Sequence, residues 1–331
     1  MANIALGDAG SAVGSDSLRG SRLQKFRLWD SLFSGLTLSA ALAVLVLLGG
    51  VILALILGSR EAFSTFGFGF ITRQVWNPVT DQFGALAPIY GTVVTSLIAM
   101  VIAVPVGLGI AIFLTELCPY HLRRPIGTAI ELLAGIPSII YGIWGLFVFA
   151  PFLQQYVQPA LITIFGPIPG LNTVFAGPPY GIGILTAGII LGVMVLPFVS
   201  SISRDVFETV PPVLKEAAYG LGCTTREVVT NVVIPHSRTA IVGGVMLGLG
   251  RALGETMAVT FVIGNAHKIS SSILAPGTTI SASIANEFTE AVGDVYTSSL
   301  IGLGLILFVI TFIVLAIARF MLMRINKRGR A

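Results

Sequence analysis

Two residues that could do chemistry lie deep in an apolar stretch of the chain: Arg251 and Glu255, within residues 243–259. On one continuous helix a spacing of four puts both side chains on the same face. A charge at the centre of a membrane span costs about 2.5–3.5 kcal/mol on insertion scales, so such residues face a bundle interior or a water-filled path. A guanidinium presents a planar fork of donors that matches an oxyanion such as phosphate. Glu255 would hold that fork when no anion is bound and keep the anion from binding too tightly to leave. The alternative is a self-neutralising structural ion pair, although Arg before Glu is the less favourable helical order. Gly244, Gly248, Gly250 and Gly254 would let other backbones come close to this helix.

A second constellation lies just upstream, at residues 209–235. Pro211 and Pro212 suit the first turn of a helix, which then runs through Leu214, Ala217, Ala218 and Leu221. Gly222 can take the left-handed conformation that ends it. Thr224 and Glu227 form a capping box for a second short helix, which Pro235 is expected to close. A DNA-reading helix-turn-helix is disfavoured because the unit is strung between apolar runs and its charge is nearly balanced. A plain structural elbow is the other alternative. None of the four lysines follows a glycine, so no phosphate-cradling G-K-[ST] loop exists on this chain. His121, His236 and His267 lie in three different loops, with no spacing that suggests a metal site.

The elements that must position these residues are set by composition. Of 331 residues, 55% are apolar and only 10% charged, and the mean hydropathy is +0.93. An ordinary soluble domain carries about 25% charge, so a water-soluble globule and a disordered chain are both excluded. Long unbroken apolar runs argue against a transmembrane barrel. About 20 apolar residues cross the hydrocarbon core, and six such runs occur, at roughly 35–58, 86–115, 128–152, 181–200, 239–264 and 298–323. The expected fold is all-α and polytopic. Residues 1–34 would form a cytosolic tail, disordered at its start, 35–325 the membrane domain and 326–331 a second cytosolic tail. Fifteen of the nineteen basic residues fall before the first run, after the second, after the fourth and in the tail, which puts both termini in the cytosol. Cys118 and Cys223 then lie in cytosolic loops, reduced and inert. Residues 153–180, proline-rich and uncharged, read equally as a buried lid or an external docking surface. Residues 286–291 read as a short amphipathic helix at the external mouth.

The run Glu216, Ala217, Ala218, then Gly222, then Val232-x-Ile234-Pro235 resembles the EAA loop of ABC importer permeases, with Val and Ile in place of the usual Ile and Leu. The run from Arg251 to Val259 resembles the phosphate-specific permeases of the Pst system, as do residues 135–142 (Gly-Ile-Pro-Ser-Ile-Ile-Tyr-Gly). Ile284-Ala-Asn-Glu-Phe288 is similar to their C-type subunit. The resemblance covers about residues 30 to 325. It implies a type I ABC importer permease (MetI-like) fold in a bacterial inner membrane, with inorganic phosphate as substrate. It also implies a related second permease, two copies of a cytosolic ATPase and a periplasmic phosphate-binding protein. No cofactor would sit on this chain; ATP-Mg would be held by the ATPase. Glu216, Ala217, Ala218, Gly222 and Pro235 match the coupling positions, Arg251 and Glu255 the positions tied to phosphate passage. A permease for another oxyanion or a phosphonate, and an ion-coupled secondary transporter, are the alternatives. The first would be separated by transport assay. The second leaves the EAA loop unexplained.

Overall fold

The computed structural model describes residues 9–328, and side chains from Trp29 to Met323 apart from Met321. Contacts divide the chain between Leu57 and Gly58. The first unit is one long helix, part of Ala9–Gly58. The expected tail at 1–34 is thus helical from Ala9; residues 1–8 and 329–331 lie outside the described residues. Among the described residues there is no strand, only an isolated bridge between Asn77 and Gln82.

Among the described residues six helical stretches are long and apolar enough to cross a membrane: Trp29–Phe66, Leu86–Leu117, Ser138–Phe165, Ile184–Glu208, Thr225–Leu253 and Asp294–Phe320. The number matches the expectation, but the third and fifth spans are both shifted at each end. The third span begins ten residues later than hydropathy suggests. A separate helix, Tyr120–Ala134, ends at Gly135, and Pro137 precedes the helix that starts at Ser138. Proline fixes the entry to a new helix and cannot donate to the old one. The third span instead runs on to Phe165, so the first part of segment 153–180 is its continuation. That segment is largely exposed in the single chain, with Leu153 and Gln158 buried.

The fifth span departs further. Pro235 does not close the second loop helix. A π turn at Val229–Val233 passes straight into Ile234–Leu253, and the wider turn accommodates a residue without an N–H. At its other end this helix stops at Leu253, and a short helix, Met257–Val262, resumes after Gly254, Glu255 and Thr256.

The second and fourth spans form the centre of the bundle. Ala99, Met100 and Ala103 pack on Ala187, Ile190, Leu191, Met194 and Val195. Close approach needs small residues: a Cβ on Gly188 would lie 2.6 Å from Ile98 Cγ2. The fifth span seals against the fourth in the same way, since a Cβ on Gly244 would meet Ile202 Cγ2 at 2.7 Å and one on Gly248 would meet Val199 Cγ2 at 3.0 Å. Pro105 and Pro197 lie inside helices, where neighbouring groups can take up the freed carbonyls. Ser200 Oγ donates to the Pro197 carbonyl at 3.0 Å. Cys118 and Cys223 are both free thiols.

Candidate functional site: a broken fifth span and its cytosolic loop

The fifth span buries one stripe, Ser237, Ile241, Gly244, Gly248 and Ala252, and exposes another, Ala240, Leu247, Arg251 and Gly254. Each stripe follows steps of three, four or seven, the mark of a single helical face. Arg251 lies in the last turn, just before the break. Glu255 lies in the break itself and is partly buried. The pair is therefore not carried on one continuous helix, and among the described residues no ion pair joins them. Gly254, at φ −94° and ψ 0°, is where the helix leaves its path.

The carbonyls freed by the break find hydroxyl donors. Thr256 Oγ1 donates to Gly254 O at 3.3 Å, Thr260 Oγ1 to Thr256 O, and Ser281 Oγ to Glu255 O at 3.0 Å. Non-helical backbone at membrane depth is tolerated only where protein buries it or a water-filled cavity lies alongside. An interrupted, hydroxyl-stitched span with an exposed guanidinium beside the gap is suited to receiving an anion.

Ser281 belongs to the helix Ile280–Glu287, whose other end is held by a partly buried knot. Glu287 Oε2 accepts from Trp76 Nε1 and from Tyr296 OH, each at 2.6 Å, and Glu287 Oε1 pairs with His267 Nε2 at 2.7 Å. Trp76 stacks on the His267 ring with centroids 5.0 Å apart. The helix ends at Glu287 and 288–290 is a turn, so the expected helix at 286–291 is displaced, and Glu287 is turned into the knot. Sequence reasoning missed this knot because its members are far apart along the chain, Trp76 lying 211 residues from Glu287.

Burial alone would raise the Glu287 carboxyl, but the bonds from His267, Tyr296 and Trp76 outweigh it and hold the group below the usual carboxylate range. Its stabilisation is thus fully present above pH of about 4.3 and is lost as pH falls through the lowered folded value. Glu287→Ala leaves three partly buried groups without an acceptor, at about 1 kcal/mol each. We expect a loss of about 3 kcal/mol at neutral pH, read as a fall in melting temperature of the purified chain in detergent. An unchanged melting curve would show that the knot contributes nothing to the external face.

The loop between the fourth and fifth spans folds as expected up to Pro235. The first helix is Pro212–Gly220, Gly222 has φ +86°, and the Thr224–Glu227 capping box is complete. The two alanines part company. Ala217 is exposed, whereas Ala218 packs inward on the cluster of Phe207, Val210, Val228 and Val233. Glu216 is exposed, and Val213, Ala217 and Leu221 form an outward stripe with Val213 at 70% and Leu221 at 86% exposure. Among the described residues no group of His, Cys, Asp and Glu could hold a metal.

A family model described as "Binding-protein-dependent transport system inner membrane component" matches residues 103–328. The phosphate transport system permease protein PstC of Mesorhizobium japonicum is 70% identical over 315 residues, 95% of this chain and 96% of that protein. The protein of the same name from Pasteurella multocida is 56% identical over 90% of this chain and 93% of its own length. The fold resembles a bacterial ABC transporter involved in alginate import, with a TM-score of 0.57 over 90% of this chain and 99% of that one, at 18% identity. It also resembles the MetNI methionine ABC transporter in an inward-facing conformation, with a TM-score of 0.55 over 72% of this chain and 94% of that one, at 15% identity. At these identities the structural likeness bears on fold alone. The chain belongs to the family of binding-protein-dependent transport system inner-membrane components, in its branch of PstC-type permeases.

Proposed function

We propose that this chain is one half of the membrane pathway of an ATP-driven importer, and that inorganic phosphate passes along its fifth span with Arg251 as a transient ligand. The observation that carries this reading is the exposed Arg251 beside the break at Gly254–Thr256. An arginine at that depth does not face lipid without a penalty of about 2.5–3.5 kcal/mol. The exposed stripe of Ala240, Leu247, Arg251 and Gly254 therefore belongs against a second, related permease, with the pathway between the two. Glu255, drawn aside into the break, leaves the guanidinium free for an anion and supplies the repulsion that lets it go. The relatives named as phosphate permeases support the choice of anion.

The chain is a transport subunit rather than an enzyme. ATP hydrolysis is assigned to two copies of a separate cytosolic ATPase, which carry the ATP-Mg and dock on the outward stripe of the EAA helix beside Glu216. Gly222 permits the tight turn behind that helix, and Pro235 lies in the first turn of the helix Ile234–Leu253 that continues the fifth span. A periplasmic phosphate-binding protein would deliver substrate to the external face. There a cavity of about 760 Å³ lies between residues 173–180 and 266–276, with Lys268 in its lining. We place the chain in a bacterial inner membrane with both termini cytosolic, on the distribution of its basic residues.

Two measurements test this assembly. Purification from the native membrane should bring down a second permease and an ATPase; a homodimer without either would contradict it. Gly220→Cys should react with an impermeant thiol reagent only from the cytosolic side, and Ser271→Cys only from outside, because both positions are exposed. Labelling of Gly220→Cys from outside would overturn the orientation.

A further inference from the structure

We propose that Lys215 is a positioning residue for transport, whose ion pair with Glu116 carries movement of the EAA helix to the end of the second span. The inference rests on the reading of Pro212–Gly220 as the ATPase-docking helix. Lys215 Nζ lies 2.6 Å from Glu116 Oε1, and the side chains are 20% and 7% exposed. Within the EAA helix only Lys215 and Ala218 turn away from solvent. The helix thus has an outward face for a partner and an inward face that grips this chain at two points, one apolar and one ionic.

What the ionic grip holds is informative. Glu116 lies in a π turn, Phe113–Leu117, that ends the second span. A second π turn, Val229–Val233, lies at the other end of the loop, within the fifth span, and leads directly into its helix Ile234–Leu253. Wide turns of this kind mark places where a helix departs from regular geometry, often at functional sites. The loop therefore meets two such turns, one along the chain within the fifth span and one at the end of the second span across the Lys215–Glu116 pair, beside apolar packing of Ala218, Val228 and Val233 in one cluster with Leu108, Ala111 and Ile112 of the second span. The second span packs along the fourth, and the fifth seals against both through Gly248, which approaches Val195, Val199 and Met100. A displacement of the EAA helix would reach the break beside Arg251 from two sides at once.

The other cytosolic ion pairs are less suited to this task. Arg123–Glu208 at 3.1 Å and Arg204–Glu131 at 2.6 Å link the helix Tyr120–Ala134 to the fourth span, and their carboxylates are 50% and 46% exposed. Exposed pairs are weak and screened by salt, whereas a sheltered pair is screened much less. A sheltered pair also resists sliding, because moving either partner leaves a charge without its counterion.

The test uses the complete transporter in lipid vesicles with its binding protein, comparing Lys215→Met, Glu116→Gln, Lys215→Arg and the exchange Glu116→Lys with Lys215→Glu. Three readouts are taken: retention of the ATPase, ATP hydrolysis with and without the loaded binding protein, and phosphate uptake. For Lys215→Met and Glu116→Gln we expect ATPase retention and unstimulated hydrolysis within about twofold of wild type, as for changes that leave the docking face alone. Stimulation and uptake should fall by about tenfold or more, in the range of coupling between distant sites. Lys215→Arg keeps the pair and should stay close to wild type, and the exchange should recover much of what either single change loses. Full stimulation and uptake in Lys215→Met would overturn the proposal. So would loss of the ATPase in both Lys215→Met and Lys215→Arg, which would make Lys215 a contact with the ATPase itself. A wild-type complex that imports no phosphate yet is stimulated by its binding protein would refute the substrate reading instead, and the stimulation ratio would still read the tie.

Discussion

Arg251→Gln should abolish phosphate uptake while leaving ATP hydrolysis by the assembled transporter in place. The substitution removes the basic side chain set beside the break in the fifth span and leaves the Glu255 carboxylate in the same region. A carboxylate with no cation beside it repels the anion. Hydrogen bonds to a charged group contribute about 1.5–3 kcal/mol, so uptake should fall by about tenfold to a hundredfold or more. Arg251→Lys keeps the charge and loses the bidentate fork, and should transport at an intermediate rate. The fold should not suffer, because Arg251 is exposed and makes no ion pair among the described residues. Hydrolysis should persist because the EAA loop is untouched. Loss of both activities together would point to a structural defect rather than a ligand removed from the path.

The second large effect is expected at the cytosolic face. Ala217→Asp places a carboxylate in the middle of the outward stripe formed with Val213 and Leu221. Ala217 is exposed, so the chain's own stability should change by no more than about 0.5 kcal/mol. Against an ATPase groove the same carboxylate would be buried without a partner, and a central contact of that kind costs about 2 kcal/mol or more. ATPase retention should therefore fall by more than about tenfold, with uptake lost alongside. Ala218 offers a contrast. It packs on Phe207 and Val228, so Ala218→Asp should damage the chain itself. Normal ATPase retention in Ala217→Asp, measured by co-purification, would move the docking surface elsewhere.

How much of this was legible in the sequence depended on how far each feature reaches along the chain. The turn at Gly222 and the Thr224–Glu227 capping box need only their immediate neighbours, and both are in place. Six spans were legible because hydropathy sums over about 20 residues. Boundaries were harder. Residues 128–134 are apolar enough to count toward a span, yet Gly135 and Pro137 end one helix and start another. Pro235 reads as a terminator in a regular helix, and only the π turn before it shows why the helix continues. Gly254 was read as a small residue that admits a neighbour, and its role as the point where the fifth span breaks has no local signal. Ion pairs and knots assembled across the fold were illegible: Lys215 meets Glu116 from 99 residues away and Trp76 meets Glu287 from 211. Arg251 and Glu255 were recognisable as unusual from burial cost alone, but their separation by a helix break required the backbone.

The most direct test of the account is uptake of radiolabelled phosphate by vesicles that contain the assembled transporter, with ATP inside and the loaded binding protein outside. Wild type and Arg251→Gln should be measured alongside ATP hydrolysis. The account predicts ATP-dependent accumulation in wild type, and hydrolysis without accumulation in Arg251→Gln. Phosphate import by Arg251→Gln at the wild-type rate would contradict it, since the anion would then pass without the one side chain that the broken fifth span presents to it.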